Sequence, residues 1–95
     1  MAHNVPEPPS SPFWIPKNQV PKEFKAWISD PWYFREALKG FAEAFTPDDF
    51  RRVYRAIRAG IKAFFANNGL AVDSMNDAFY LGLHVGHAVR KELFE

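Results

Sequence analysis

Two long stretches of this chain leave almost no polar surface on the helices they specify. From Thr46 to Asn67 and from Asp73 to Glu95, the residues fall on helical wheels with one narrow polar strip each. A helix lying on the surface of a bundle needs an apolar stripe only a little over 100° wide, and one that is apolar nearly all round is normally buried. A chain of 95 residues builds one domain. Two such helices in one small domain predict a second layer, supplied by another copy of the chain or by a different protein.

The wheels fix which residues would meet that layer. In the middle helix Phe50, Val53, Tyr54, Ile57, Ile61, Phe64 and Phe65 form one broad face. The opposite face is Ala56, Ala59, Ala63 and Ala66, interrupted mainly by Arg52. In the last helix Phe79, Leu83, Gly86, Val89 and Leu93 form the main face, with Leu81, Val85 and Ala88 round the back. Ala56, Ala59, Ala63, Leu81 and Val85 are therefore the expected association interface, in a homodimer or a hetero-complex. Gly82 and Gly86 each cost about 1 kcal/mol relative to alanine in a helix, which predicts close approach of another helix there.

Start signals divide the rest of the chain. Asp30-Pro31 and Thr46-Pro47 each place a capping side chain before a proline at the first helical position. Ser74 with Asp77 has capping-box spacing. After Asp30, the residues Phe34, Ala37, Leu38, Phe41 and Phe45 repeat at helical spacing, opposite Arg35, Glu36, Lys39 and Glu43. Asn67-Asn68-Gly69 reads as a stop, with Gly69 supplying the left-handed residue. The expected fold is all-α: a small antiparallel bundle of three main helices over about 31–45, 47–67 and 74–94. A further short helix is expected over 21–29. Six of the eight prolines lie at or before Pro21, so residues 1–20 read as a proline-rich extended arm and 21–95 as the single bundle domain. Phe13-Trp14-Ile15 interrupts that arm and is expected to dock on the bundle or on a partner.

One cluster of charge stands out in a chain of net charge +1. Arg51, Arg55, Arg58 and Lys62 recur at i, i+4, i+7 and i+11 with Arg52 nearby, and no acidic residue lies between Phe50 and Val72. On one helix these four span about 16 Å. Such a ridge suits a carboxylate-rich protein surface or a row of phosphates. The bland alternative is a solvated face balanced by Glu36, Glu43, Glu92 or Glu95. The near-neutral chain weighs against nucleic acid, whose binders are usually basic overall.

Other constellations are weaker. His84 and His87 share one face with Asp77 a turn away, a spacing open to a metal ion but lacking a third ligand. Pro6 to Pro9 and Pro9 to Pro12 give two minimal PxxP spacings without a flanking arginine. Cysteine is absent, which removes disulfides and thiolate chemistry. The start of the chain has no secretory pattern, and no apolar run approaches the roughly 18 residues of a membrane span. A cytoplasmic location, no cofactor and no membrane partner are the resulting expectations.

With no catalytic motif, the sequence describes a non-enzymatic interaction protein: a regulator, inhibitor or accessory subunit. Its protein partner would meet Arg51, Arg55, Arg58 and Lys62, with Phe13 and Trp14 as aromatic anchors. The alternatives are a nucleic-acid-binding dimer using the same ridge and a metal-binding bundle centred on His84 and His87.

Overall fold

The caps predicted from sequence start three helices at their expected residues. A computed structural model of the protein describes residues 14–68 and 71–95. The Asp30 carboxylate accepts hydrogen bonds from the backbone amides of Trp32 at 2.8 Å and Tyr33 at 3.2 Å, opening α1, Pro31–Ala42. Thr46 Oγ1 accepts from the Asp49 amide at 3.1 Å and opens α2, Pro47–Arg52. Ser74 Oγ accepts from the Asp77 amide at 3.0 Å and opens α4, Met75–Phe94. Each cap satisfies an amide that the first turn of a helix leaves without a partner.

Three boundaries differ from expectation. The stretch 47–67 is two helices, α2 and α3, Tyr54–Asn67, separated at Val53. Val53 has φ −117° and ψ 29°, yet its amide still donates to Asp49 O at 3.2 Å and its carbonyl still accepts from Ile57 N at 2.9 Å. The chain bends here without stopping, at a β-branched residue of modest helix preference. α1 ends at Ala42 because the next three amides, Glu43 to Phe45, each bond three residues back, which tightens the turn. The region 21–29 holds a 3₁₀ helix, Lys22–Ala26, preceded by a single 3₁₀ turn, Lys17–Gln19. α3 closes with the Asn67 and Asn68 side-chain amides donating to the carbonyls of Ala63 and Phe64. Gly69, its expected terminator, lies outside the described residues, as do Phe13 and both PxxP spacings.

The core is aromatic. Phe24, Phe41, Phe50 and Phe65 are fully buried and meet edge-on, Phe24 bridging Phe41 and Phe65 at 5.4 Å each and Phe50 lying 6.5 Å from Phe41. Edge-to-face geometry sets the positive ring edge on the negative face of its neighbour. The described end of the arm belongs to this core. Ile15 and Val20 are buried within it, and Trp14 packs edge-on against Phe50 at 5.1 Å.

Glycine sets the closest helix contact. α1 and α4 run parallel, with Ala37 beside Gly82 and the Phe41–Ala44 turn beside Gly86. A Cβ on Gly82 would overlap the Ala37 carbonyl, and one on Gly40 would overlap the Phe79 carbonyl. The partner that the two glycines of α4 required is thus α1 of the same chain. Arg90 reinforces this seam by donating to the Ala44 carbonyl at 3.3 Å, in the turn that follows α1. On its other side α4 runs antiparallel to α3, with Val89 against Gly60 and His84 against Phe64.

This packing corrects one expected interface residue. Val85 is fully buried inside the chain and is unavailable to any partner. Leu81 is partly buried and packs on the same core. The physical reason is that α4 has neighbours on two sides, so both apolar arcs of its wheel are used internally.

Candidate functional site

The basic ridge divides on folding. Val53 places Arg51 and Arg52 on α2, and Arg55, Arg58 and Lys62 on α3. Arg51 meets Asp48 at 2.6 Å and Arg52 meets Asp49 at 3.0 Å, each pair one turn apart on α2. These pairs are exposed and so carry little energy, but they mute the charge. Arg58 reaches out of α3 to Glu23, its Nε and Nη2 each 2.8 Å from Oε2 and its Nε 3.1 Å from Oε1. The same guanidinium lies over the Tyr54 ring at 5.7 Å.

Glu23 reports this contact in its acidity. Burial pushes its carboxyl up, but the hydrogen bonds from Arg58 and from backbone, with the charges of Arg58 and Lys62, more than offset that and hold it below its ordinary value. The Arg58 guanidinium is raised in turn, chiefly by its hydrogen bond to Glu23. The acids that balance the ridge are therefore Asp48, Asp49 and Glu23. Glu36, Glu43, Glu92 and Glu95, the partners suggested by the sequence, are not used in this way.

Arg55 and Lys62 are what remains. Both are exposed, and neither makes an ion pair with a described residue. Seven residues apart, they lie on one edge of α3, about 10 Å from each other along the axis. Beside them Ala56, Ala59, Ala63 and Ala66 are all exposed. On the far side of the alanines an open groove of about 640 Å³ runs between α3 and the C-terminal half of α4. Ala56, Ala59, Ala63, Ala88, Val89 and Leu93 supply its apolar walls, and Glu92 stands at its edge. A second hollow of about 500 Å³ lies among Gln19, Arg51, Arg52, Tyr54 and Arg55.

The remaining candidates sit apart from this face. Trp14 is half-buried against Phe50, so its ring serves the bundle's own core. His84 and His87 are exposed, with the His84 ring edge-on to Phe64 at 5.6 Å. Among the described residues no group of three or more His, Cys, Asp or Glu is placed to hold a metal ion. Among the described residues, too, no helix is long and apolar enough to cross a membrane. Trp27, 47% exposed, stacks on Phe65 at 5.4 Å.

Comparison with protein-family models finds no family that matches the chain, and comparisons with curated proteins and with solved structures find no match either.

Proposed function

We propose that this chain is a small non-enzymatic interaction protein, a regulator, inhibitor or accessory subunit, that binds an acidic surface of a protein partner through α3. The observation that carries this reading is the pair Arg55 and Lys62, exposed and without an ion pair to a described residue, beside four exposed alanines. Exposed cations without an ion pair to a described residue, next to an exposed apolar strip, favour a surface that is both acidic and apolar. Such surfaces gain orientation and association rate from charge and affinity from burial. Function in the cytoplasm, as part of a hetero-complex or a homodimer, belongs to the same proposal.

Nucleic acid is the second reading, favoured by the hollow that Arg51, Arg52 and Arg55 share with Tyr54. Two of those three arginines are already matched by Asp48 and Asp49, so the protein partner ranks first. Purification of the wild-type protein and an Arg55→Glu/Lys62→Glu variant from the cells that make it distinguishes the two. A protein that accompanies the wild type at fixed stoichiometry and is lost from the variant supports the proposal. Strong absorbance at 260 nm that vanishes in the variant supports the second reading. Bare chain from both proteins would contradict each.

A further inference from the structure

The uncovered face of α3 has an asymmetry that narrows the partner further. Its centre is flat and small: Ala56, Ala59 and Ala63, with Ala88 across the groove. One edge is basic, from Arg55 and Lys62. The other edge, beyond the groove, carries Glu92, which is exposed and makes no ion pair with a described residue. Two packed helices have axes about 8–10 Å apart depending on the side chains between them, and alanine sets the short end of that range.

From this we infer that the α3–α4 groove is a docking site for an amphipathic helix of a different protein. That helix has small apolar residues along the contacting face and a row of Asp or Glu on the edge that meets Arg55 and Lys62. The inference rests on the acidic-partner reading above and adds to it the shape and face of the ligand. Charge complementarity selects the occupant. A continuous acidic edge answers the two exposed cations, Arg55 and Lys62, while the edge near Glu92 must be neutral or basic, so the docked helix has one orientation.

A second copy of this chain does not supply that pattern. The exposed polar row of α4, Tyr80, His84, His87 and Lys91, has a single carboxylate beside it, Asp77, and so offers no row of Asp or Glu. On α1, Glu36 already lies 3.6 Å from Arg35 and 4.0 Å from Lys39, and the alanines Ala37 and Ala42 are buried. α3 itself carries only cations. A duplex or single strand is no better matched, since phosphates have no use for an alanine strip and only two cations face it.

The test is selection on the full-length protein from a displayed library of helical peptides about 16 residues long, roughly 24 Å at 1.5 Å per residue. Enriched peptides are expected to share Ala, Gly or Ser at helical spacing, with Asp or Glu along one flank. A synthetic peptide of that consensus is expected to lose about tenfold or more in affinity for two proteins, Ala59→Gln/Ala63→Gln and Arg55→Gln/Lys62→Gln. All four positions are exposed, so both variants should fold, and their circular dichroism checks this.

A loss confined to the charge variant would overturn helix docking on the alanines and leave the acidic-partner reading standing. Basic consensus peptides, or binding indifferent to both variants, would overturn the inference and that reading together. Failure of any peptide to enrich would overturn helix docking alone, because the purification from native cells tests the broader reading separately. Light scattering of the unliganded protein adds one more outcome. A dimer that Ala59→Gln/Ala63→Gln converts to monomer would make a second copy the occupant and overturn the proposal.

Discussion

α3 and α4 look alike on a helical wheel and end differently in the fold. Both surround their main apolar face with small or aliphatic residues on the side a surface helix would make polar. In α4 most of the extra arc is sealed: Val85 is fully buried, Leu81 is partly so, and the glycines admit α1 to van der Waals contact, which leaves Ala88 at the groove. In α3 the extra arc, Ala56, Ala59, Ala63 and Ala66, stays in solvent. The difference lies in the neighbours. α4 is gripped between α1 and α3, whereas α3 has α4 on one side, the 3₁₀ segment with Glu23 on another, and its alanine side exposed. A wide apolar wheel thus counts neighbours reliably when its side chains are large. Alanine, a good helix former that tolerates water, fits either state.

Four experiments break or sharpen that contrast. Gly82→Leu should be the most damaging, because its side chain must displace the Ala37 backbone. We expect a loss of about 3 kcal/mol or more in denaturant unfolding, well above the roughly 1 kcal/mol of helix propensity gained. An unchanged midpoint would mean that α1 and α4 are not in close contact. Val85→Ala should cost about 2 kcal/mol through lost burial and the cavity left behind. The same change should leave the mass of any native complex unaltered, since Val85 touches no partner.

The third experiment concerns pH. Because Glu23 is held below its ordinary value in the folded protein, its contribution is present above that value, 4.5, and is lost as the pH falls through the folded value. Between about pH 6 and about pH 3 the wild type should therefore lose stability more steeply than Glu23→Gln. Parallel stability curves would show that the Arg58 contact contributes nothing to folding. The smallest effect is expected at the open face. Ala59→Gln/Ala63→Gln should change stability by no more than about 0.5 kcal/mol; a large loss would show that these alanines are covered within the chain.

Much of the architecture was legible because it rests on local chemistry. Asp30, Thr46 and Ser74 cap the helices whose starts they signal, and the spacing from Phe34 to Phe41 describes the buried side of α1. What escaped the sequence was non-local or degenerate. No proline or glycine marks the bend at Val53. A wheel that is apolar almost all round leaves open which arc is inside, and so Val85 was assigned to the wrong side. Arg58 pairs with a residue 35 positions away, which no helical spacing announces. The basic ridge was visible as a pattern of residues, but only the fold separates the three arginines that have carboxylate partners from Arg55 and Lys62.

The most direct test of the account places a photoreactive amino acid at position 59 or at position 80 of the full-length protein in the cells that make it. Ala59 lies on the open face of α3, and Tyr80, 58% exposed, lies on the outer side of α4. The account predicts a discrete crosslink to a protein with an acidic helix from position 59 and none from position 80. Crosslinks from position 80 with none from position 59 would contradict it and return the choice of face to α4.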